Sequence, residues 1–123
     1  MHHTEINLIE INNKIKNKIS SLSLDEYDPK VIAVSKTFKE QDILPLLDHG
    51  HIDYGENKVQ EALFKWPKLK EKYKNVKLHM LGKLQTNKVK SAIDIFDYIH
   101  SLDNLKLANK LANEIHKKDK KIK

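Results

Sequence analysis

The stretch KVIAVSKT, residues 30–37, is a short run in which apolar or small residues stand between two lysines. Valine and isoleucine are stiff, β-branched residues, and an apolar run without alternation is typical of a strand that is buried on both faces. The run follows a helix break at Pro29 and ends at Lys36. The stretch therefore predicts a buried β-strand of a parallel sheet.

The segments on either side of this stretch alternate between helical and extended patterns. Before it, apolar residues recur at spacings of three and four between Thr4 and Ser23, which predicts an amphipathic helix. The stretch itself is predicted as a strand over residues 30–36, and further strands are predicted at residues 51–57, 76–82 and 97–102. The helices that follow them are predicted at residues 38–50, 58–73, 86–96 and 103–118.

Single residues refine the ends of these helices. Gly50 is predicted to end the helix after the first strand, since glycine readily adopts the left-handed backbone of a C-terminal cap. Pro67, or a residue soon after it, is predicted to end the next helix. Asp103 is predicted to cap the last helix. Large apolar side chains of the segment 58–73 are interpreted as core or helix packing: Leu63, Phe64 and Trp66.

The alternation of strand and helix predicts the fold class. Four such units imply parallel strands joined by right-handed crossovers, and hence an α/β fold. With 123 residues, the chain is expected to form a single domain over 1–123. Two architectures fit, an open doubly wound sheet and part of a (β/α)8 barrel, and in both of them ligands collect at the carboxyl ends of the strands. The dinucleotide-binding version of the doubly wound sheet lacks its glycine fingerprint after the first strand.

Composition narrows the classes of partner. All 23 basic residues are lysine, and arginine, the residue best suited to bidentate contacts with phosphate and guanine, does not occur. We therefore expect no specific nucleic-acid partner. Cysteine is absent, which leaves neither disulfides nor thiolate metal sites. No apolar run approaches the roughly 20 residues that span a bilayer, so we expect no membrane partner and a cytoplasmic location.

Lys36 has two interpretations at the end of the first predicted strand. A lysine there is usually a solvated side chain whose stem lies on apolar surface. Alternatively, buried Ala33 and Val34 would partly desolvate the ε-amine and favour its neutral form, the nucleophile that forms a Schiff base with an aldehyde. Spacing alone does not choose between the two.

His79 and the loop after it also carry polar groups near a strand end. His79 alternates with Leu78 and Met80, so it faces away from the helices if those two pack against them. It then lies beside a ligand or serves as a hydrogen-bonded core histidine, and from the residues alone the core role is favoured. The loop residues suit either a polar ligand or local turns: Gln85, Thr86 and Asn87. No histidine pair has the helical spacing of a zinc protease site, and no metal site is predicted.

Three motifs taken together resemble a known family. VIAVSKT, DYGENKVQE and LHMLGKLQTNK occur in this order at residues 31–37, 53–61 and 78–88. They closely resemble the pyridoxal phosphate homeostasis proteins, also called the YggS or PROSC family, and the likeness extends from about Lys30 to Asn113. The resemblance implies the N-terminal half of an alanine racemase-like (β/α)8 TIM-type barrel, with four βα units preceded by an N-terminal helix.

The resemblance also implies a cofactor and its contacts. Lys36 matches the lysine that holds pyridoxal 5'-phosphate as a Schiff base, and Asn57 and His79 become neighbours of the cofactor. Such proteins are associated with intracellular vitamin B6 and amino-acid homeostasis, with little or no catalysis. A racemase-like enzyme is the alternative, but it needs a second acid or base, and no tyrosine lies in a recognisable catalytic motif.

The chain departs from that family in length. A complete barrel has eight strands, and four are predicted here, with the fifth expected to begin in HKKDKKIK, residues 116–123. Loops after strands seven and eight commonly hold the phosphate in such barrels, so no residue of this chain is assigned to it. We therefore expect association with a missing C-terminal half or with another copy, or a fragment that lacks function.

Overall fold

The computed structural model describes the whole chain, residues 1–123. The helices are α1 (His3–Ser21), α2 (Glu40–His49), α3 (Val59–Lys72), α4 (Val89–Ile95) and α5 (Leu105–Lys118). The strands are β1 (Ala33–Val34), β2 (Asp53–Glu56), β3 (Lys77–Met80) and β4 (Tyr98–Ile99), and a 3-10 turn over Thr86–Lys88 leads into α4. The predicted order of elements is confirmed, although each strand is shorter than its apolar run.

The four strands form one parallel sheet in the order β1-β2-β3-β4. Each strand therefore pairs with the strand of the next βα unit, and the order does not reverse anywhere in the sheet. The register aligns Val34 with Gly55, Gly55 with His79, and His79 with Tyr98. The α/β class with parallel strands is thus confirmed.

The hydrophobic core lies between the sheet and helices α2 to α5. Tyr54, Leu78 and Met80 point from the strands into it and are almost fully buried. Trp66 of α3 packs against Tyr54 with ring centroids 5.0 Å apart. Because side chains alternate along a strand, the aligned residues Val34, Gly55 and His79 lie on the opposite face. Val34 on that face is 44% exposed, so the prediction that the first strand is buried on both faces is wrong.

The two edges of the sheet differ. At the β4 edge, the Lys123 N–H donates to the Asp97 carbonyl at 3.1 Å, and the Ile99 N–H donates to the Lys123 carbonyl at 2.8 Å. This pattern is that of a parallel ladder, so Lys123 pairs with the β4 edge in parallel orientation. The β1 edge has no strand beside it.

The predicted end of the third helix is wrong. Helix α3 continues through Pro67 to Lys72. A proline inside a helix removes one hydrogen bond, here the one to the Leu63 carbonyl, and its ring crowds that carbonyl. Trp66 and Leu69 are buried on the core side of α3, and the apolar area they remove from water offsets that loss.

Two further details differ from the sequence-based expectations. The side chain of Asn104, not that of Asp103, caps α5 by accepting a hydrogen bond from the Leu107 N–H at 2.8 Å. Phe64 is 94% exposed instead of lying in the core. Gly50 does end α2, with a left-handed φ of 98°. None of the helices combines the length and the apolarity that a membrane span requires.

Candidate functional site

Lys36 lies in a tight turn directly after β1. The Phe38 N–H donates to the Ser35 carbonyl at 3.2 Å, which closes a β-turn with Lys36 and Thr37 at its centre. Thr37 has a left-handed φ of 65°, the backbone that a type II turn requires and that β-branched residues rarely adopt. Lys36 is exposed and forms neither a hydrogen bond nor an ion pair within the chain. Val34 beside it is largely exposed, so the expected desolvation of the amine by this chain is not found.

A buried ion pair lies behind this turn, on the helix side of the sheet. The Glu56 carboxylate at the end of β2 is fully buried, and the Lys65 ammonium of α3 contacts it at 2.9 Å. The Trp66 indole N–H donates to the same carboxylate at 2.9 Å, and the Ser35 hydroxyl donates to it at 3.1 Å. A buried carboxylate needs such partners, because it loses its hydration on folding.

Lys65 also reaches the backbone of the turn. Its ammonium donates to the Ser35 carbonyl at 2.6 Å and to the Phe38 carbonyl at 3.0 Å. Glu61, one helical turn before Lys65, pairs with it at 3.3 Å and accepts a hydrogen bond from the Thr37 N–H. The turn that carries Lys36 is thus attached to α3 through three backbone groups.

The Glu61 carboxyl has a lowered pKa. Burial alone would raise the pKa, but the hydrogen bonds from the Thr37 N–H and from Lys65, with the positive charges of Lys65 and Lys58, outweigh that effect. The pKa of Glu61 therefore lies below its usual value of 4.5. This carboxyl is ionised at neutral pH and is a strong acceptor for the turn backbone.

Sequence reasoning placed Glu56 at a strand end but assigned no supporting role to it, and it did not single out Glu61 or Lys65. One signal was available, because Glu56 stands at a core-facing position in the alternation of β2, where an unpaired charge would be costly. Its partner Lys65 is nine residues away on another element, and nothing in the spacing identifies it.

Asn57 directly follows β2 and is half-buried. Its backbone touches Gly82 so closely that a Cβ on Gly82 would lie 2.3 Å from the Asn57 carbonyl oxygen. The backbones of the DYGEN and LHMLG segments, residues 53–57 and 78–82, are therefore in close contact at this point. Beside them is a cleft of about 370 Å³, lined mainly by polar and basic residues: Asn57, Lys58, Gln60, Lys83, Gln85 and Lys88.

His79 lies in β3 on the face away from the core and is 6% exposed. Its Nε2 atom is 2.9 Å from a carboxylate oxygen of Asp53, and its Nδ1 atom is 2.9 Å from Nε2 of His100. The Tyr98 ring stacks on it in parallel, with centroids 4.3 Å apart. The imidazole is thus held by hydrogen bonds on both nitrogens, as a satisfied histidine would be, while it also faces the candidate site.

The register relates the three candidate residues to one another. Val34, Gly55 and His79 form a row across the sheet. Lys36 and Asn57 each stand two residues beyond this row, at the carboxyl ends of neighbouring strands. The candidate site therefore has Lys36 and Asn57 at its mouth and His79 one level deeper. No group of three histidine, aspartate or glutamate side chains is arranged to hold a metal ion.

Comparison with curated proteins identifies relatives. A pyridoxal phosphate homeostasis protein of Pasteurella multocida is 35% identical over 107 residues, which cover 87% of this chain and 46% of the relative. The protein of the same name from Synechocystis is 40% identical over 91 residues, or 72% of this chain and 41% of the relative. That of Escherichia coli K12 is 30% identical over 109 residues, 88% and 47% of the two chains. No family model matches the sequence.

Solved structures agree with these relatives. PipY of Synechococcus elongatus, a COG0325 family member, is 36% identical and superposes with a TM-score of 0.72 over 82% of this chain and 48% of PipY. The same protein with pyridoxal phosphate bound gives a TM-score of 0.69 over 80% of this chain and 47% of PipY. The chain spans about half the length of the relatives it matches. Sequence and structure together place these residues in the pyridoxal phosphate homeostasis protein family, as the three motifs indicated.

Proposed function

We propose that this chain binds pyridoxal 5'-phosphate through a Schiff base on Lys36 and takes part in intracellular homeostasis of that cofactor and of amino acids. The observation that carries the proposal is that the Lys36 amine has no partner within the chain and lies at the carboxyl end of β1. The turn that carries it is held by hydrogen bonds from Lys65. PipY, 36% identical to this chain, has been solved with pyridoxal phosphate bound. The cytoplasmic location expected from the sequence stays a prediction, which cell fractionation would check.

The proposed architecture is the N-terminal half of a (β/α)8 barrel that forms one domain over residues 1–123. Consecutive strands pair in sequence order, as around a barrel, whereas a doubly wound sheet reverses its order at a switch point. The parallel pairing of the Lys123 backbone with β4 supports this proposal, because a fifth strand at that edge would have the same direction. The other half of the barrel would come from a C-terminal segment or from another copy.

The side chains of the site suit an aldehyde cofactor. Lys36 would hold the cofactor, since its ε-amine in the neutral form could condense with an aldehyde with loss of one water molecule. Lys36 has no ion-pair partner in the chain, so its side chain is not held by a carboxylate. Lysines around the cleft beside Asn57 make the mouth electropositive, which favours approach of an anionic cofactor. When bound, this cofactor supplies an electron-withdrawing ring.

Asn57 and His79 have different proposed roles. Asn57 stands level with Lys36 at the mouth, where its amide can donate to or accept from the polar groups of the cofactor. His79 forms the floor one level below, with its ring fixed by Asp53 and His100. The His79 ring would pack beneath the cofactor and keep the cofactor in position. We propose that the phosphate contacts would come from the other half of the barrel.

A trapping experiment tests this function. The purified chain is incubated with pyridoxal phosphate, the absorbance of the Schiff base is recorded, and borohydride reduction is followed by peptide mapping. We expect the adduct on Lys36 and its loss in Lys36→Ala, with the matched variant Lys68→Ala unaffected, since Lys68 is an exposed lysine on the outer side of α3. Label spread evenly over many lysines, and unchanged in Lys36→Ala, would remove the basis for the proposal.

Catalysis is the competing function, and the same preparation can test it. A racemase-like enzyme would exchange the Cα hydrogen of amino acids with solvent in deuterated water. We propose binding without turnover, and we expect no exchange beyond the level seen with free pyridoxal phosphate.

A further inference from the structure

The turn that carries Lys36 holds a backbone conformation that its sequence disfavours. Thr37 occupies the left-handed region at φ 65°, where its branched Cβ crowds the backbone. Glycine adopts this conformation freely, so an unsupported Ser-Lys-Thr-Phe turn would leave it for more extended shapes. Something outside the turn must therefore maintain it.

Two side chains of α3 supply that support. The Glu61 carboxylate accepts from the Thr37 N–H, the amide of the strained residue itself. The Lys65 ammonium donates to the Ser35 and Phe38 carbonyls, the first and last residues of the turn. Together they contact the backbone on both sides of Lys36 and leave its side chain free.

The support is itself rigid. Only 7% of the Lys65 side chain is exposed, and it is paired at 2.9 Å with the fully buried Glu56. Trp66, the next residue of α3, bonds to the same carboxylate. Glu61 lies one helical turn from Lys65 and is 28% exposed, so it can be altered without leaving the buried carboxylate unpaired.

We propose that Glu61 and Lys65 are positioning residues for Lys36: they hold the strained Thr37 turn so that the free amine is presented to the site. The inference rests on the proposed binding of pyridoxal phosphate by Lys36. It assigns a function to the buried polar cluster on the helix side of the sheet, which does not contact the cofactor site directly.

The test compares Glu61→Ala with Glu71→Ala, an exposed glutamate on the same helix without a partner. In Glu61→Ala we expect borohydride trapping of pyridoxal phosphate at Lys36 to slow by roughly tenfold, a factor that corresponds to about 1.4 kcal/mol. Trapping at the other lysines should not change. Glu71→Ala should behave as the parent chain.

A second variant separates positioning from general loss of structure. Adding Thr37→Gly to Glu61→Ala should restore most of the trapping rate, because glycine adopts the left-handed backbone without support. A purely structural role for Glu61 would give no such rescue. Without cofactor, amide hydrogen exchange of Thr37 should be faster in Glu61→Ala than in the parent chain.

The outcomes distinguish this inference from the proposed function. If the parent chain is not labelled at Lys36, the proposed function fails, and the inference about cofactor binding falls with it. If the parent chain is labelled but Glu61→Ala reacts at the same rate with the same Thr37 exchange, the inference is overturned and the proposed function stands. Slower trapping with rescue by Thr37→Gly supports both.

Discussion

The two faces of the sheet each carry a polar cluster, and the clusters differ in their access to water. On the helix side, Glu56 and Lys65 are enclosed beneath α3, with 0% and 7% of their side chains exposed. On the other face, Asp53 and His79 are paired at 2.9 Å; the His79 side chain is only 8% exposed, but Asp53 is 18% exposed and His100 next to them is exposed. The enclosed cluster joins α3 to the end of β2, whereas the open cluster lines the face on which the cofactor is proposed.

The difference shows how one short sheet can serve two purposes. In an ion pair that is closed off from water, neither charge can be solvated when its partner is lost. Removing one member therefore strongly lowers the free energy of unfolding. A cluster near solvent can replace a lost hydrogen bond with one to water, so a substitution there lowers the free energy of unfolding less. The support for Lys36 thus lies on the protected face, and the candidate ligand contacts lie on the accessible one.

The largest expected effect is that of Lys65→Met. The change keeps much of the length of the side chain but leaves the Glu56 carboxylate buried without its cation, which should lower the free energy of unfolding by about 3–5 kcal/mol. Urea denaturation measures it. The double variant Glu56→Gln with Lys65→Met removes both charges and should recover part of the loss. Equal stability of Lys65→Met and the parent chain would mean that the cluster is not closed off from water.

A smaller effect is expected on the open face. Asp53→Ala removes the carboxylate that holds Nε2 of His79, while His100 and the Tyr98 ring still hold the imidazole. The free energy of unfolding should fall by about 1 kcal/mol, the typical net contribution of one hydrogen bond to stability. Asp53→Asn, which keeps a polar group there, is the matched control. A loss as large as that in Lys65→Met would contradict the distinction between the two faces.

The smallest expected effect is a pH dependence of the free energy of unfolding that is caused by Glu61, the carboxylate that binds the turn carrying Lys36. Since the folded-state pKa of Glu61 is lower than its usual value of 4.5, its contribution to stability is complete above about that pH and is lost as the pH falls through the lowered pKa. The difference in unfolding free energy between the parent chain and Glu61→Gln should be below about 1 kcal/mol at neutral pH. It should close in acid, whereas the difference for Glu71→Gln should be flat.

Local sequence patterns predicted a large part of the fold. The first helix, the four strands and the helices after them all occur near their expected positions, because hydrophobic spacing reports which face of an element is buried. The errors are cases in which packing overrode local preference. Helix α3 passes through Pro67 because Trp66 and Leu69 anchor it, and Asn104 takes the capping position expected for Asp103.

The candidate site was predicted in part. Lys36, Asn57 and His79 were found because they lie at or near strand ends in motifs that match a family, and their roles there stay predictions. The supporting residues were not found, since Glu56 and Lys65 belong to different elements and meet only when α3 packs on the sheet.

By itself, the sequence determined the alternation of strands and helices, the family and the lysine that stands out among 23, since spacing and motif order are properties of the chain. The tertiary structure alone decided the strand order and which charged residues of different elements meet. It also decided that Thr37 has a left-handed backbone, that its N–H donates to Glu61, and that Lys65 donates to the Ser35 and Phe38 carbonyls. Such contacts join residues 24 to 30 positions apart, and only close packing of separate elements brings them within hydrogen-bonding distance.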